Sequence, residues 1–209
     1  MKQLYPDLWQ TQAEHPFGPG SATHAYLLTR SSGNLLFYSC GHAGEYPEIS
    51  RLGGAVRQYL SHRDEAGPAL RRIKESLGSL LCCHALEAEA VRKFCPVDLT
   101  FEHRECHLGD IEVIPTPGHT DGSTCFLCTS RDGKLRYLFT GDTLFPDGDS
   151  WGTYVSPSHR RTLAESLESL RALEPDVVLS SASSGRPFQE MGPEEWQAIV
   201  DRAINSLSD

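Results

Sequence analysis

Residues Ile111–Phe145 read IEVIPTPGHTDGSTCFLCTSRDGKLRYLFTGDTLF, and the fold follows from this stretch. Ile111, Val113 and Ile114 form an apolar run with strand character. Pro115-Thr116-Pro117-Gly118 breaks the backbone and delivers His119 at the strand end. Two further strand-like runs, Thr124–Thr129 and Leu135–Thr140, flank a turn at Arg131-Asp132-Gly133. The second run ends in Gly141-Asp142. An imidazole and a carboxylate thus leave strand ends of one hairpin system, the way a sheet presents metal ligands on its loops. Either piece alone reads as an ordinary turn; their spacing and the apolar strands between them make the pattern informative.

Working outward, the chain alternates strands and helices. Toward the N-terminus, the loop His15-Pro16-Phe17-Gly18-Pro19-Gly20 precedes strands at His24–Arg30 and Leu35–Cys40, turned at Ser31-Ser32-Gly33-Asn34. Residues Gly41 to Gly54 read as irregular, with Pro47 and the Gly53-Gly54 break. Ala55–Leu60 is a short strand. Pro68 suits a first helical turn, Leu70, Ile73 and Leu77 have helical spacing, and Gly78 is a stop. Ser79–Cys83 is a buried strand, and Leu86, Ala90, Val91 and Phe94 mark a helix that ends before Pro96. Strand–helix–strand–helix builds a sheet with helices on its outer face. Toward the C-terminus, Pro146–Val155 reads as a Gly- and Asp-rich loop. Ser156-Pro157 then opens a helix with the stripe Leu163, Leu167, Leu170, Leu173. A strand at Asp176–Leu179, a small-residue loop at Ser180–Gly185 and a helix over Pro193–Leu207 complete the chain.

At 209 residues and 23.1 kDa, one domain over 1–209 is the simplest organisation. The net charge of −9 disfavours a general nucleic-acid or anionic-membrane surface. No apolar run approaches membrane-spanning length, and MKQLYPDLWQ lacks the apolar core of a secretory signal, so a cytoplasmic location is expected. Seven cysteines without zinc-ribbon spacing read as reduced thiols. Cys125 and Cys128 fall on opposite faces of a strand and so do not share a metal. Cys40 reads as a small buried residue.

A second polar cluster, Ser61-His62-Arg63-Asp64-Glu65, follows the strand at Ala55–Leu60. By itself it fits a capped helix start, since acidic groups are favourable at a helix N-terminus. Together with His119 and Asp142 it supplies the imidazole and carboxylate donors of a metal centre, if the three loops converge.

With TPGHT at 116–120 followed by TGD at 140–142, the chain resembles the metallo-β-lactamase superfamily over almost its whole length. The resemblance implies an α/β fold, an αββα sandwich of two mixed sheets flanked by helices with a metal site at the sheet edge. It also implies hydrolysis by metal-bound water. The family's His-x-His-x-Asp-His-x-Gly loop aligns with Leu60 to Gly67: His62 matches the second His and Asp64 the Asp. Leu60 and Glu65 stand where the first and last His belong. His119 matches the TPGHT histidine and Asp142 the bridging Asp, whereas Ala182 occupies the final-loop His position.

The resemblance therefore implies metal ligands from His62, Asp64, Glu65, His119 and Asp142, with Asp64 orienting or deprotonating the water. It implies one divalent metal, zinc first, with manganese or iron as alternatives because carboxylate-rich sets suit harder ions. The expected activity is hydrolysis of an ester, thioester, lactone or amide of a small-molecule substrate. The alternatives are a non-catalytic binding protein with a decayed metal centre and an iron redox protein. His15, His24, His159, Asp147 and Asp149 are outside candidates for a donor; His84, His103 and His107 read as structural or solvated. Oligomeric state has no signature in the sequence.

Overall fold

The computed structural model describes residues 1–16 and 18–208; Phe17, in the loop expected at 15–20, and Asp209 lie outside the described residues. Contacts divide the chain into two compact units, Met1–Glu102 and the residues from His103 onward.

The first unit contains strands Lys2–Tyr5 (β1), Leu8–Gln10 (β2), Ala22–Thr23 (β3), Tyr26–Leu28 (β4), Leu35–Phe37 (β5), Arg57–Tyr59 (β6), Leu80–His84 (β7) and Leu99–Phe101 (β8). Helices Tyr46–Arg51 (α1), Ala69–Leu77 (α2) and Ala88–Arg92 (α3) lie between its strands. Its seven-stranded sheet has the order β1-β2-β4-β5-β6-β7-β8. Pairing is antiparallel as far as β5 and parallel from β5 to β8. Parallel neighbours need crossovers, and α1, α2 and α3 occupy them. Leu60, Leu81 and Cys83 from the sheet side bury against Leu70 of α2 and Ala88 and Val91 of α3.

One expectation needs correction in this unit. Gly41 to Gly54 is not irregular: Pro47 sits in the first turn of α1, where the missing N–H costs nothing. Ahead of the expected loop, β1 and β2 pair as a hairpin that the sequence did not signal. Gly78 ends α2 in the left-handed conformation (φ 68°), as its position implied.

The second unit contains Glu105–His107 (β9), Ile111–Pro115 (β10), Thr124–Thr129 (β11), Arg136–Gly141 (β12), Phe145–Asp147 (β13), Ser150–Gly152 (β14), Val177–Ser180 (β15), Ala182–Ser183 (β16) and Phe188–Glu190 (β17). Its helices are Arg160–Arg171 (α4) and Pro193–Leu207 (α5). The six-stranded sheet runs β17-β15-β12-β11-β10-β9, antiparallel except for β12 beside β15. Both sheets are thus mixed. The stretch at 146–155 is a short hairpin, β13–β14, rather than a plain loop.

One sheet face, with Ile114, Cys125, Leu127, Leu138 and Val178, buries against the stripe Leu163, Leu167, Leu170 of α4 and Trp196, Ile199 and Val200 of α5. Trp196 fills this core and its indole N–H donates to the Leu170 carbonyl at 3.0 Å, which ties α5 to α4. Among the described residues no helix is long and apolar enough to cross a membrane. All seven cysteines are free thiols, and burial pushes Cys40, Cys82 and Cys83 up to about 12.

Candidate functional site

In the first unit, β6 ends at Tyr59, and Leu60 turns into the hydrophobic cluster under α2 and α3 with no exposed surface. His62 is 3% exposed and adopts an extended backbone before a single 3-10 turn over Arg63–Glu65. Ser61 N–H donates to Glu65 Oε2 at 3.1 Å, and the Ser61 hydroxyl donates to Glu65 Oε1. The same hydroxyl oxygen lies 2.8 Å from His62 Nδ1, with Glu65 Oε1 at 3.3 Å from that nitrogen. Glu65 thus lies on the Nδ1 side of the imidazole. Asp64 is exposed, and it and His62 offer ligand atoms within 4.8 Å of each other.

A second carboxylate holds the same loop. Glu87, fully buried, accepts from the Arg63 backbone N–H at 2.9 Å and lies 3.6 Å from the Arg63 guanidinium. Buried carboxylates are stable only when paired in this way.

In the second unit, the turn after β10 is packed and hydrogen-bonded throughout. Thr116 N–H donates to the Ser123 carbonyl at 2.7 Å, and its hydroxyl lies 3.0 Å from that of Thr143. Thr120 N–H donates to Ser123 Oγ at 2.9 Å. Ser166 of α4 donates to the Pro117 carbonyl at 2.7 Å. Gly118 has φ +146°, and a Cβ there would stand 2.6 Å from Leu163 Cβ, so the turn passes too close to α4 for any side chain. His119 emerges from this turn half-buried. Its Nδ1–H donates to the Tyr154 carbonyl at 2.8 Å, which leaves the lone pair on Nε2. The Tyr154 ring lies 5.8 Å away, centre to centre.

Asp142 follows Gly141, which takes φ +55° at an irregularity in the β12–β15 pairing. The Ser181 hydroxyl, from the loop after β15, donates to Asp142 Oδ1, and Ser181 N–H donates to the Gly141 carbonyl at 3.3 Å. Ser181, 39 positions away in sequence, thus bonds both the Asp142 carboxylate and the backbone before it. No short-range motif marked it, nor Glu87 or Tyr154. Ser61 and Glu65 share a local S-x-x-x-E spacing that held the only such signal.

Two of the outside histidines, His15 and His159, and the solvated His107 have hydrogen-bond partners of their own. His15 lies 2.9 Å from the Ser21 carbonyl, His159 Nδ1 2.7 Å from Ser156 Oγ, and His107 Nε2 2.7 Å from Glu105. His84 is buried; its Nδ1 accepts from Leu86 N–H and its Nε2–H donates to the Glu102 carbonyl, a structural role. Asp147 accepts from the Ser184 hydroxyl, and Cys40 is fully buried.

His24 is part-buried and donates from Nδ1 to the Thr11 carbonyl at 3.0 Å. Burial lowers its pKa below the ordinary 6.5. The unfolded chain then binds a proton at higher pH than the folded one, so stability is lost as pH falls below about 6.5 and regained as it rises. We expect His24→Gln to flatten the stability–pH curve below that point in denaturant titrations. A curve superimposable on the parent's would contradict the assignment.

The family model for the metallo-beta-lactamase superfamily matches residues 40–181. Hydroxyacylglutathione hydrolase, cytoplasmic isozyme, of Saccharomyces cerevisiae is 33% identical over 97 residues, which are 44% of this chain and 34% of that one. A hydroxyacylglutathione hydrolase of Hydrogenovibrio crunogenus is 35% identical over 95 residues, 44% and 32% of the two chains. The chain thus spans about a third of the length of the curated relatives it matches. Among solved structures, a metallo-beta-lactamase from Pontibacter korlensis aligns over 100% of this chain and 98% of its own, with TM-score 0.74 and 16% identity. That likeness concerns the fold, an α/β sandwich.

Proposed function

Because the chain belongs to the metallo-β-lactamase superfamily, we propose that it is a metal-dependent hydrolase with a single-ion centre, acting on a small thioester or ester. In this reading His62 and Asp64 of the first unit and His119 and Asp142 of the second are its donors. The observation that carries the reading is the retained, individually anchored donor set. His62 and Asp64 stand side by side on one loop, His119 keeps its lone pair on Nε2, and Ser181 holds Asp142. Two imidazoles with two carboxylates suit a first-row divalent ion, zinc first, then manganese or iron. Such an ion supplies Lewis acidity and lowers the pKa of a water molecule.

The protein's own part is to hold and move a proton. The Asp64 carboxylate, exposed beside His62, takes the proton of the attacking water. His119, pinned to the Tyr154 carbonyl, and Asp142, pinned to Ser181, keep their orientation through the reaction. Thioesters rank first among substrates because the relatives are hydroxyacylglutathione hydrolases.

A non-catalytic reading has one observation in its favour: Leu60, at a ligand position of the family, is built into the core. The assay that separates the two is hydrolysis of hydroxyacylglutathione thioesters and of simple esters and lactones by the zinc-, manganese- or iron-loaded protein. Activity that chelator and Asp64→Asn both abolish is the expected result. Metal binding without turnover of any of these would sink the hydrolase reading. The donor set also limits capacity to about one tightly held ion per chain. Elemental analysis returning two zinc ions per chain after dialysis would refute the single-ion centre.

A further inference from the structure

We propose that Ser61 and Glu65 are positioning residues for His62: a buried relay, imidazole to hydroxyl to carboxylate, that places the ring proton on Nδ1 and the lone pair on Nε2. This rests on the reading of His62 as a metal ligand for its purpose, although the relay itself stands without a metal. In the family alignment Glu65 occupies a ligand position; its carboxylate instead faces the other nitrogen of the neighbouring ring.

The argument is one of proton counting. A serine hydroxyl has one proton, and that of Ser61 is given to Glu65 Oε1. At the 2.8 Å contact with His62 Nδ1 the hydroxyl oxygen can therefore only accept. Glu65 Oε1, 3.3 Å from Nδ1, is also an acceptor. Both neighbours of Nδ1 on this loop require it to carry a proton, so the neutral ring presents its lone pair from Nε2. The other Glu65 oxygen accepts the Ser61 N–H, so the carboxylate cannot swing away without losing two bonds to one residue. The side chains of His62 and Glu65 are 3% and 6% exposed, so water competes weakly for these contacts. Metal-bound imidazoles elsewhere in proteins are held by an acceptor on the far nitrogen, and losing it costs about 10- to 100-fold in affinity. Here a serine is interposed between ring and carboxylate.

The test compares the parent with Ser61→Ala, Ser61→Thr, Glu65→Gln and the Ser61→Ala/Glu65→Gln double variant. In the metal-free protein, long-range proton–nitrogen NMR reads the His62 tautomer directly. The parent is expected to show a protonated Nδ1. Glu65→Gln frees the Ser61 proton to turn toward the ring, so the signals should shift toward a protonated Nε2. Zinc affinity, measured by competition with a chromophoric chelator, should fall about 10- to 100-fold in Ser61→Ala and in Glu65→Gln. The double variant should be no worse than the weaker single, because both break one relay. Ser61→Thr, which keeps the hydroxyl, should restore parent affinity. A parent tautomer protonated at Nε2 would overturn the proposal. So would unchanged affinity in Ser61→Ala alongside a loss in Glu65→Gln, the signature of Glu65 as a direct ligand. A parent that binds no zinc overturns the metal reading instead, and the nitrogen spectrum still decides the relay.

Discussion

Replacing His119 by alanine is expected to weaken zinc binding by more than about 100-fold, beyond the range for losing an outer partner of a ligand, with little change in folded stability. The imidazole is one of only two proposed for the ion, so its removal takes half of the nitrogen donors. Its structural share is small. The side chain is half-buried on a loop beyond β10, where its Nδ1–H donates to the Tyr154 carbonyl. A bond of that kind contributes about 1 kcal/mol net. No core cavity opens, since His119 is absent from the buried cluster that Ile114 and Leu163 anchor. Calorimetric zinc titration and thermal denaturation of the same preparation separate the two effects. An affinity within about twofold of the parent, a difference of well under 1 kcal/mol, would remove His119 from the proposed ligand set.

Gly118→Ala should cost roughly 3 kcal/mol of stability, the sum of overpacking and backbone strain at one residue. The added Cβ would stand 2.6 Å from Leu163 Cβ and 2.7 Å from Leu163 Cα. The second of these is backbone, so no rotamer change relieves it. Helix α4 cannot retreat cheaply, because Ser166 is bonded to the Pro117 carbonyl and Leu163 is fully buried. The φ of +146° adds strain that alanine cannot avoid. Since His119 is the next residue, the same substitution should also weaken zinc binding, unlike a destabilising change on the far side of α4. Denaturant unfolding is the measurement. A loss below about 1 kcal/mol, the low end for overpacking, would mean that the turn relaxes away from α4 and does not hold His119 rigidly.

The sequence carried the second unit better than the first. The leucines of α4 and the Trp196 face of α5 recur at helical spacing and bury as that spacing requires. Strands β10 and β12 were visible because their apolar runs end in Pro-Gly and Gly-Asp breaks. The missed elements share a physical cause. Strands β8, β9 and β17 have three residues each and lie exposed or half-buried but for Phe101, so they show neither an apolar run nor alternation. In α1, Pro47 in its first turn and Gly53-Gly54 just beyond it masked a helix of only six residues.

The proposed donors His119 and Asp142 were legible as residues that chain breakers deliver to loop positions. Their supports were not. Glu87 reaches Arg63 across 24 positions and Ser181 reaches Asp142 across 39, and a hydrogen bond at such separation leaves no local pattern. Glu65 shows the limit most clearly. The aligned motif implied a ligand, whereas only the three-dimensional contacts reveal which ring nitrogen its carboxylate faces.

Strand order has a consequence for assembly. Apart from the two-residue β3, the first sheet follows the order of synthesis from one edge to the other, and the second does the same from β9 to β17, with β13, β14 and β16 left aside. No strand has to be inserted between two neighbours that are already paired. Each can join an open edge as it leaves the ribosome, closing only the loop to the strand before it, and loop closure grows costly only slowly with length. The growing chain therefore has only one advancing edge per sheet, beside the fixed outer edge of the first strand, and no internal gap at which another nascent chain could pair.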